Sequence, residues 1–408
     1  MRVAPNSKIA LIGIFALYCT LCDFAILTPA LNTLSNAFPS TSMTTILLAN
    51  TITGVVVVPV SIIAGILVNR VGYRFMGIVG VALAMFGGLS PFFFPGLTEY
   101  WPIIISRIVV GIGDGMVSPL GGAMIIALYK GKQRATLLGV GNLIFFGSGI
   151  LYQLAGGYLA SIAWNYTFLG YLVAFIPWLL VIVFLPELKG VKPVEDTTAA
   201  VSSDAKKEKL PPAVWGYFLF ATIMLILDIV AVFLCSTLLD IRGMGDASVA
   251  GVVSALFTVG GTIAGAIYAV LILVFRNKVF SALAFVGGAG LLIMYSSDNV
   301  IVFSFGITIL GIAHIGLFTA AQNAAGNASP PSKIPVANGL MMAAMNLGSF
   351  LGAYYLSFVQ ETMPSLGPAG PLMVSGIVFL VAAVVMLFLP FKNLIIRGKK
   401  DVGKGDTD

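Results

Sequence analysis

Residues 102 to 129 read PIIISRIVVGIGDGMVSPLGGAMIIALY. At about 1.5 Å of rise per residue the run is long enough, as one helix, to cross a hydrocarbon core of about 30 Å. It is nonetheless not purely apolar, because it carries Arg107 and Asp114. Those two are seven positions apart, two helical turns less about 20°, so they share one face with Gly111 between them.

Similar runs recur along the whole chain. Twelve can be counted, from 9–30 at one end to 371–391 at the other. Of the 408 residues, 59% are hydrophobic and 9% charged, and the mean hydropathy is +1.03. Soluble domains carry about 25% charged residues, so an ordinary soluble fold is excluded. The expectation is an all-α membrane protein of twelve transmembrane helices. The one long polar interruption is ELKGVKPVEDTTAAVSSDAKKEKLPP at 187–212, which ends in two prolines. It reads as a solvated linker, giving a first six-helix bundle at 1–186 and a second bundle with a tail at 213–408.

Basic residues set the expected orientation. With the N-terminus in the cytoplasm, all of the 22 lysines and arginines fall on the cytoplasmic side except Arg107, inside the membrane, and Arg242, in an external loop. Both termini and the 187–212 linker are therefore expected to be cytoplasmic, and the plasma membrane is the expected location. The net charge of +6 and the pI near 9.1 follow from this topology. They point to anionic lipid as the partner, not nucleic acid. The first run is too long for a signal peptide and contains Asp23, so it is expected to remain. Cys19, Cys22 and Cys235 all fall in apolar runs and read as small packing residues. Asn165-Tyr166-Thr167 matches a glycosylation acceptor but lies in too short a loop to carry weight.

The two halves repeat one another. Sliding the second onto the first brings Asp228 over Asp23, and at a slightly different offset LGIAHI (310–315) falls on VGIGDG (110–115), matching His314, the only histidine, to Asp114. A two-fold arrangement of such halves encloses a central cavity, and transporters place substrate and ion sites at repeat interfaces near the bilayer midplane. Counting from the ends of the runs puts Arg107 about 8 Å deep, Asp23 about 10 Å and Asp114 about 18 Å from the outer surface. Arg107 and Asp23 could thus pair, leaving Asp114 near the midplane without a basic neighbour.

Each such charge costs about 2.5–3.5 kcal/mol on insertion scales, and intramembrane ionisable residues usually face a water path or the bundle interior. Two readings stay open. Arg107 and Asp23 can form a fixed ion pair that locks two helices, and His314 can hydrogen-bond between helices as a neutral ring. Alternatively Asp23, Arg107, Asp114, Asp228 and His314 handle protons and substrate. No phosphate loop, metal-ligand pattern or nucleophile beside the histidine argues for an enzyme or an ATP-driven pump. A gradient must then drive the protein, and a carboxyl that moves between burial and water is a natural proton carrier. No cofactor beyond a proton gradient is expected.

The loop after the second run, GILVNRVGYR (65–74), resembles the cytoplasmic signature of the major facilitator superfamily, a G-x-L-x-D-R-x-G-R-R/K pattern. Gly65, Leu67, Arg70, Gly72 and Arg74 match it; Asn69 stands where that family usually has aspartate and Tyr73 where it usually has arginine. RIVVGIG is similar to the R-x-x-Q-G-x-G signature of proton-coupled members, with Val110 in place of glutamine. The resemblance implies the major facilitator fold, two pseudo-symmetric six-helix bundles, with 65–74 at a cytoplasmic gate and Arg107 in proton coupling. Family antiporters often carry Gly-Pro shortly before Gly-Gly in the fifth helix; here the stretch is Tyr152-Gln153-Leu154-Ala155-Gly156-Gly157. The resemblance also nominates cavity-lining residues: Tyr18, Phe24, Phe218, Phe318, Gln322 and Asn323, with Asn142, Gln153 and Asn346 nearby.

Three acids against one arginine favour a cationic or neutral solute, and aromatic faces can hold an organic cation. The expected function is a proton-coupled secondary transporter of a small organic solute, working as a monomer and exporting amphipathic or cationic compounds. Uptake or exchange of a small metabolite is the alternative, and a transporter-like receptor or scaffold is a third. Protease added outside intact cells should leave the 187–212 linker uncut, while protease added to inverted vesicles should cut it; cleavage from outside would reverse the topology.

Overall fold

The computed structural model describes residues 8–188, 209–330 and 333–388. Most of the expected linker lies outside these residues, as does the side chain of Asn69. Twelve spans are long and apolar enough to cross a membrane: α1 (Lys8–Ala37), α2 (Met43–Val68), α3 (Tyr73–Phe93), α4 (Trp101–Leu128), α5 (Gly131–Ile162), α6 (Trp164–Phe184), α7 (Pro212–Ile241), α8 (Ala247–Phe275), α9 (Val279–Ser296), α10 (Val300–Ala328), α11 (Val336–Thr362) and α12 (Gly370–Phe388). The protein is a multi-pass, all-helical membrane protein.

The first span departs most from expectation. It reaches Ala37, not residue 30, and it is broken. An α-helix covers Lys8–Thr20, a turn follows, a 3₁₀ stretch covers Asp23–Ala30 and contains Pro29, and a short α-helix covers Leu31–Ala37. Proline lacks the N–H of the α ladder and its ring crowds the preceding turn. A long 3₁₀ segment inside a span is unusual and often marks a hinge. The first part of α6, Trp164–Ala174, is 3₁₀ as well, and the two irregular segments both lie against α5.

Several span ends on the face opposite Lys8 and Phe388, here the far face, are finished by side chains. Ser42, Asp246 and Asn299 accept backbone N–H bonds at the starts of α2, α8 and α10. Each satisfies donors that the helix itself leaves free. Arg242, the basic residue placed apart from the others, donates to the carbonyls of Met294, Tyr295 and Ser297 at 2.8, 2.7 and 2.6 Å. It caps the C-terminal end of α9, where a cation is favoured by the helix dipole.

Within the halves, small residues let helices touch. A Cβ on Gly113 of α4 would lie 2.5 Å from the carbonyl oxygen of Gly80 on α3, so only glycine permits this approach. Between the halves, α2 meets α11, α5 meets α8 and α1 meets α7. Hydrogen bonds joining them include Thr44 to Ser357 at 2.5 Å, Asn32 to Asp240 at 3.0 Å, Asn32 to Ser236 at 3.2 Å, and Thr258 to Gln153 at 3.0 Å. These lie toward the far face. Toward the near face, where α1 begins and α12 ends, a Cβ on Gly139 of α5, Gly265 of α8 or Gly339 of α11 would meet nothing within 4 Å, and Asn142 is exposed. Hydrogen bonds between the halves thus gather toward the far face, while these near-face glycines have no close neighbour.

The paired glycines of α5 divide the contact. A Cβ on Gly156 would sit 2.1 Å from the Ile26 carbonyl oxygen of α1, and one on Gly157 would sit 2.7 Å from the Gly251 Cα of α8. Gly156→Val should therefore lower the melting midpoint of the purified protein, with a cost of about 1–3 kcal/mol or more for overpacking. Gly139→Val should leave it unchanged. Equal midpoints for the two variants would contradict this packing.

Candidate functional site

Arg107 is fully buried. Its Nε donates to the carbonyl of Ala49 on α2 at 3.0 Å, and its Nη1 donates to the hydroxyl of Tyr171 on α6. The Tyr171 ring lies 5.3 Å from the guanidinium carbon, and its hydroxyl points on toward the backbone carbonyl of Asp23 at 3.5 Å. That carbonyl belongs to the broken stretch of α1, where the regular α ladder no longer engages it. Thr53 of α2 bonds the Arg107 carbonyl at 3.2 Å. The cation is thus anchored to α2 and α6 and linked to α1 through a tyrosine.

The expected Arg107–Asp23 ion pair does not form. Instead the carboxyl of Asp23 neighbours that of Asp114, close enough to interact directly, with Arg107 within electrostatic range of both. This also corrects the reading of Asp114 as lacking a basic neighbour, since Arg107 is within electrostatic range. The cause is the length of α1. Because the span continues to Ala37, Asp23 sits near its middle, level with Asp114. Both acids are buried, at 1% and 4% exposure. Despite their proximity, neither oxygen of Asp23 nor Oδ1 of Asp114 makes a hydrogen bond of good geometry. The Tyr152 hydroxyl of α5, fully buried beside them, has no partner either.

The second half holds a counterpart. Asp228 of α7 and His314 of α10 are 1% and 5% exposed, and Asp228 Oδ2 lies 2.8 Å from His314 Nδ1. The Phe257 ring of α8 covers the imidazole, with centroids 5.0 Å apart. The residues that the repeat aligned across the halves are thus partners within each half: Asp23 with Asp114, and Asp228 with His314. A cavity of about 10 Å³ adjoins the second pair, lined by Phe220, Ala221, Met224, Leu225, Leu317 and Phe318.

The nominated lining residues divide. Phe318 borders that cavity, and Phe24, Asn142 and Asn323 are exposed. Gln322 is half-buried, and Phe218 is half-buried with its ring 6.0 Å from Trp215. Three serve packing. Tyr18 lies against Gly121 of α4 and Gly141 of α5. Gln153 is committed to Thr258, and Asn346 bonds Met342 of its own helix at 3.0 Å with its Oδ1 beside Gly54 of α2.

The 65–74 stretch, expected as a loop, is helical on both sides of Gly72 and is tied to its own half. Gly72 ends the helix Met43–Val71 at φ +106°, a conformation that favours glycine. Tyr73 N–H, at the start of α3, donates to Glu187 Oε1 at 3.0 Å, and Arg74 donates to the Ile182 carbonyl at 2.6 Å. Glu187, just past α6, therefore caps α3. Gly65 faces open space and Arg70 is exposed. Sequence reading missed Tyr171, Tyr152 and Glu187. A lone acid directly after Pro186 at the end of an apolar run was a signal for Glu187; a tyrosine in such a run is no signal.

Two repeated bundles, each burying an interacting pair of ionisable side chains, have the architecture of a membrane transporter. The chain matches the family model of the Major Facilitator Superfamily over residues 13–353, and it belongs to that superfamily. It is 31% identical over 127 residues to the multidrug transporter protein MdtP of Bacillus subtilis (strain 168), a match covering 31% of this chain and 22% of that protein. The crystal structure of a D-xylose–proton symporter superposes with a TM-score of 0.72 at 15% identity, covering 94% of this chain and 98% of the other. That of a bacterial homologue of the human lysosomal transporter Spinster, inward-facing and unoccupied, superposes with a TM-score of 0.71 at 16% identity, covering 96% and 98%.

Tyr171→Phe removes one of the hydrogen bonds of a buried cation, worth about 1.5–3 kcal/mol. The variant should melt below the wild-type protein in detergent, whereas Tyr158→Phe, on the exposed face of α5, should not. Coincident melts would mean that Tyr171 does not hold Arg107.

Proposed function

We propose that the chain is a proton-coupled secondary transporter of a small organic solute, working by alternating access and exporting amphipathic or cationic compounds. The carrying observation is the buried Asp23–Asp114 pair beside Arg107. Two carboxyls in contact resist joint ionisation. With both ionised the group has a net charge of −1, and with one proton shared it is neutral. A single proton therefore switches the charge of the site, and it belongs to the pair, not to Asp114 alone. The break in α1 next to Asp23 supplies a place where that switch can act on backbone geometry.

An anionic site in the deprotonated state suits a cationic or neutral solute, and the likeness to a multidrug transporter over part of the chain supports export. On this reading the near face is cytoplasmic, both termini and the 187–212 linker lie there, and the conformation is open to the cytoplasm. The membrane is the plasma membrane and the working unit is one chain, organised as 1–186 and 213–408.

The test uses proteoliposomes, an imposed pH gradient and tetraphenylphosphonium as a probe cation. Asp114→Asn and Asp23→Asn should each abolish gradient-driven accumulation, by at least about tenfold, because asparagine keeps the shape and loses the titration. Counterflow of the probe should persist in both. Accumulation retained by Asp114→Asn would overturn the assignment.

A further inference from the structure

The Asp228–His314 pair is not needed for the single-proton switch of the first half, yet it is built with equal care. Its Nδ1–Oδ2 contact of 2.8 Å uses one carboxyl oxygen, and Asp228 Oδ1 is buried without a partner. Helix α7 beyond the pair is sealed: Val230, Ala231, Phe233, Leu234 and Cys235 are at most 1% exposed. On the other side lies the cavity of about 10 Å³, room for about one water. Its other lining residues, among them Phe220, Met224, Leu317 and Phe318, all lie on the near-face side of the pair along both helices. The pair is closed toward the far face and adjoins a water-sized space toward the near one.

No other charge shares this site. Among the described residues, the one electrostatic partner of Asp228 is His314. Helix α8 presents Phe257 to the ring, and α11 meets α7 through Gly348 and Gly352. The other charged side chains on α7–α12, Asp240 and Glu361, stand at the far-face ends of their spans, and Cys235 contacts Ser254. A carboxylate beside a neutral imidazole leaves a net charge of −1 in an apolar shell. One added proton, held on the imidazole, turns the pair into an ion pair that is neutral overall. The same count held for Asp23, Asp114 and Arg107 in the other half.

We infer that Asp228 and His314 form a second proton-binding site, the two-fold counterpart of Asp23 and Asp114, loaded in this conformation from the near face through the small cavity. The transporter then carries two proton sites, one in each half, of unlike chemistry. This rests on the proton-coupled reading above, but its test does not need a transport substrate. His314 is the only histidine in the chain, so ¹⁵N-histidine NMR of the full protein in lipid nanodiscs reads that ring alone across a pH series.

In the wild type the ring should pass between neutral and imidazolium forms in one step. Asp228→Asn should hold the ring neutral over the range in which the wild type converts, Asp228→Glu should restore the conversion, and Asp114→Asn should leave it unchanged. A ring that keeps one protonation state at every pH, or that follows the same curve in Asp228→Asn, would make the pair a fixed helix-to-helix hydrogen bond and overturn the inference. Should the ring titrate as expected while Asp114→Asn still concentrates tetraphenylphosphonium, the second site stands and the assignment of coupling to the first half fails.

Discussion

A guanidinium in the middle of an apolar bundle must be solvated by the protein itself, and this demand on Arg107 organises the first half. Its partners come from the Ala49 carbonyl and the Tyr171 hydroxyl. Neither is an acid. Helices α2, α4 and α6 are drawn together around one cation, and α1 joins through the backbone carbonyl of Asp23. Because Tyr171 stands between arginine and α1, the two carboxylates are attracted to Arg107 without being spent in an ion pair. That leaves them available to each other.

The second half solves the same problem without a permanent charge. Among the described residues Asp228 has only His314 as an ionic partner, and the imidazole can hold or release a proton, which arginine cannot. Pseudo-symmetry thus preserves positions, on α1 and α4 and again on α7 and α10, while the chemistry has diverged. One half is poised by a fixed cation and the other by a titratable one. A dyad of acids and a dyad of acid and imidazole need not respond to the same pH, which gives the two halves a means of acting at different points of a cycle.

Much of the fold was legible because burial in lipid imposes a simple length rule. The twelve spans and the internal repeat follow from hydropathy and spacing. The site was less legible, for an identifiable reason. The first apolar run ends visibly at residue 30, but Asn32, Ser35 and Asn36 belong to the span, polar as they are. A depth measured from residue 30 therefore sets Asp23 level with Arg107 and away from Asp114. Pro29 was a visible sign of irregular backbone, but nothing marked the turn at Leu21 and Cys22. Tyr171 and Glu187 act through contacts between segments far apart in sequence, which periodicity does not report.

Adjacent glycines on α5 face different neighbours, Gly156 the carbonyl of Ile26 in its own half and Gly157 the backbone of Gly251 in the other. The first contact is between elements of one bundle and has no reason to open when the halves separate at the far face. On the proposed alternating-access cycle the second must open, since it is part of the seam. The helix cannot yield at one residue and hold at the next by bending. It must travel with α1 as a solid piece and peel cleanly from α8, so the seam parts along a line fixed to within one residue, like a lid lifting from a gasket.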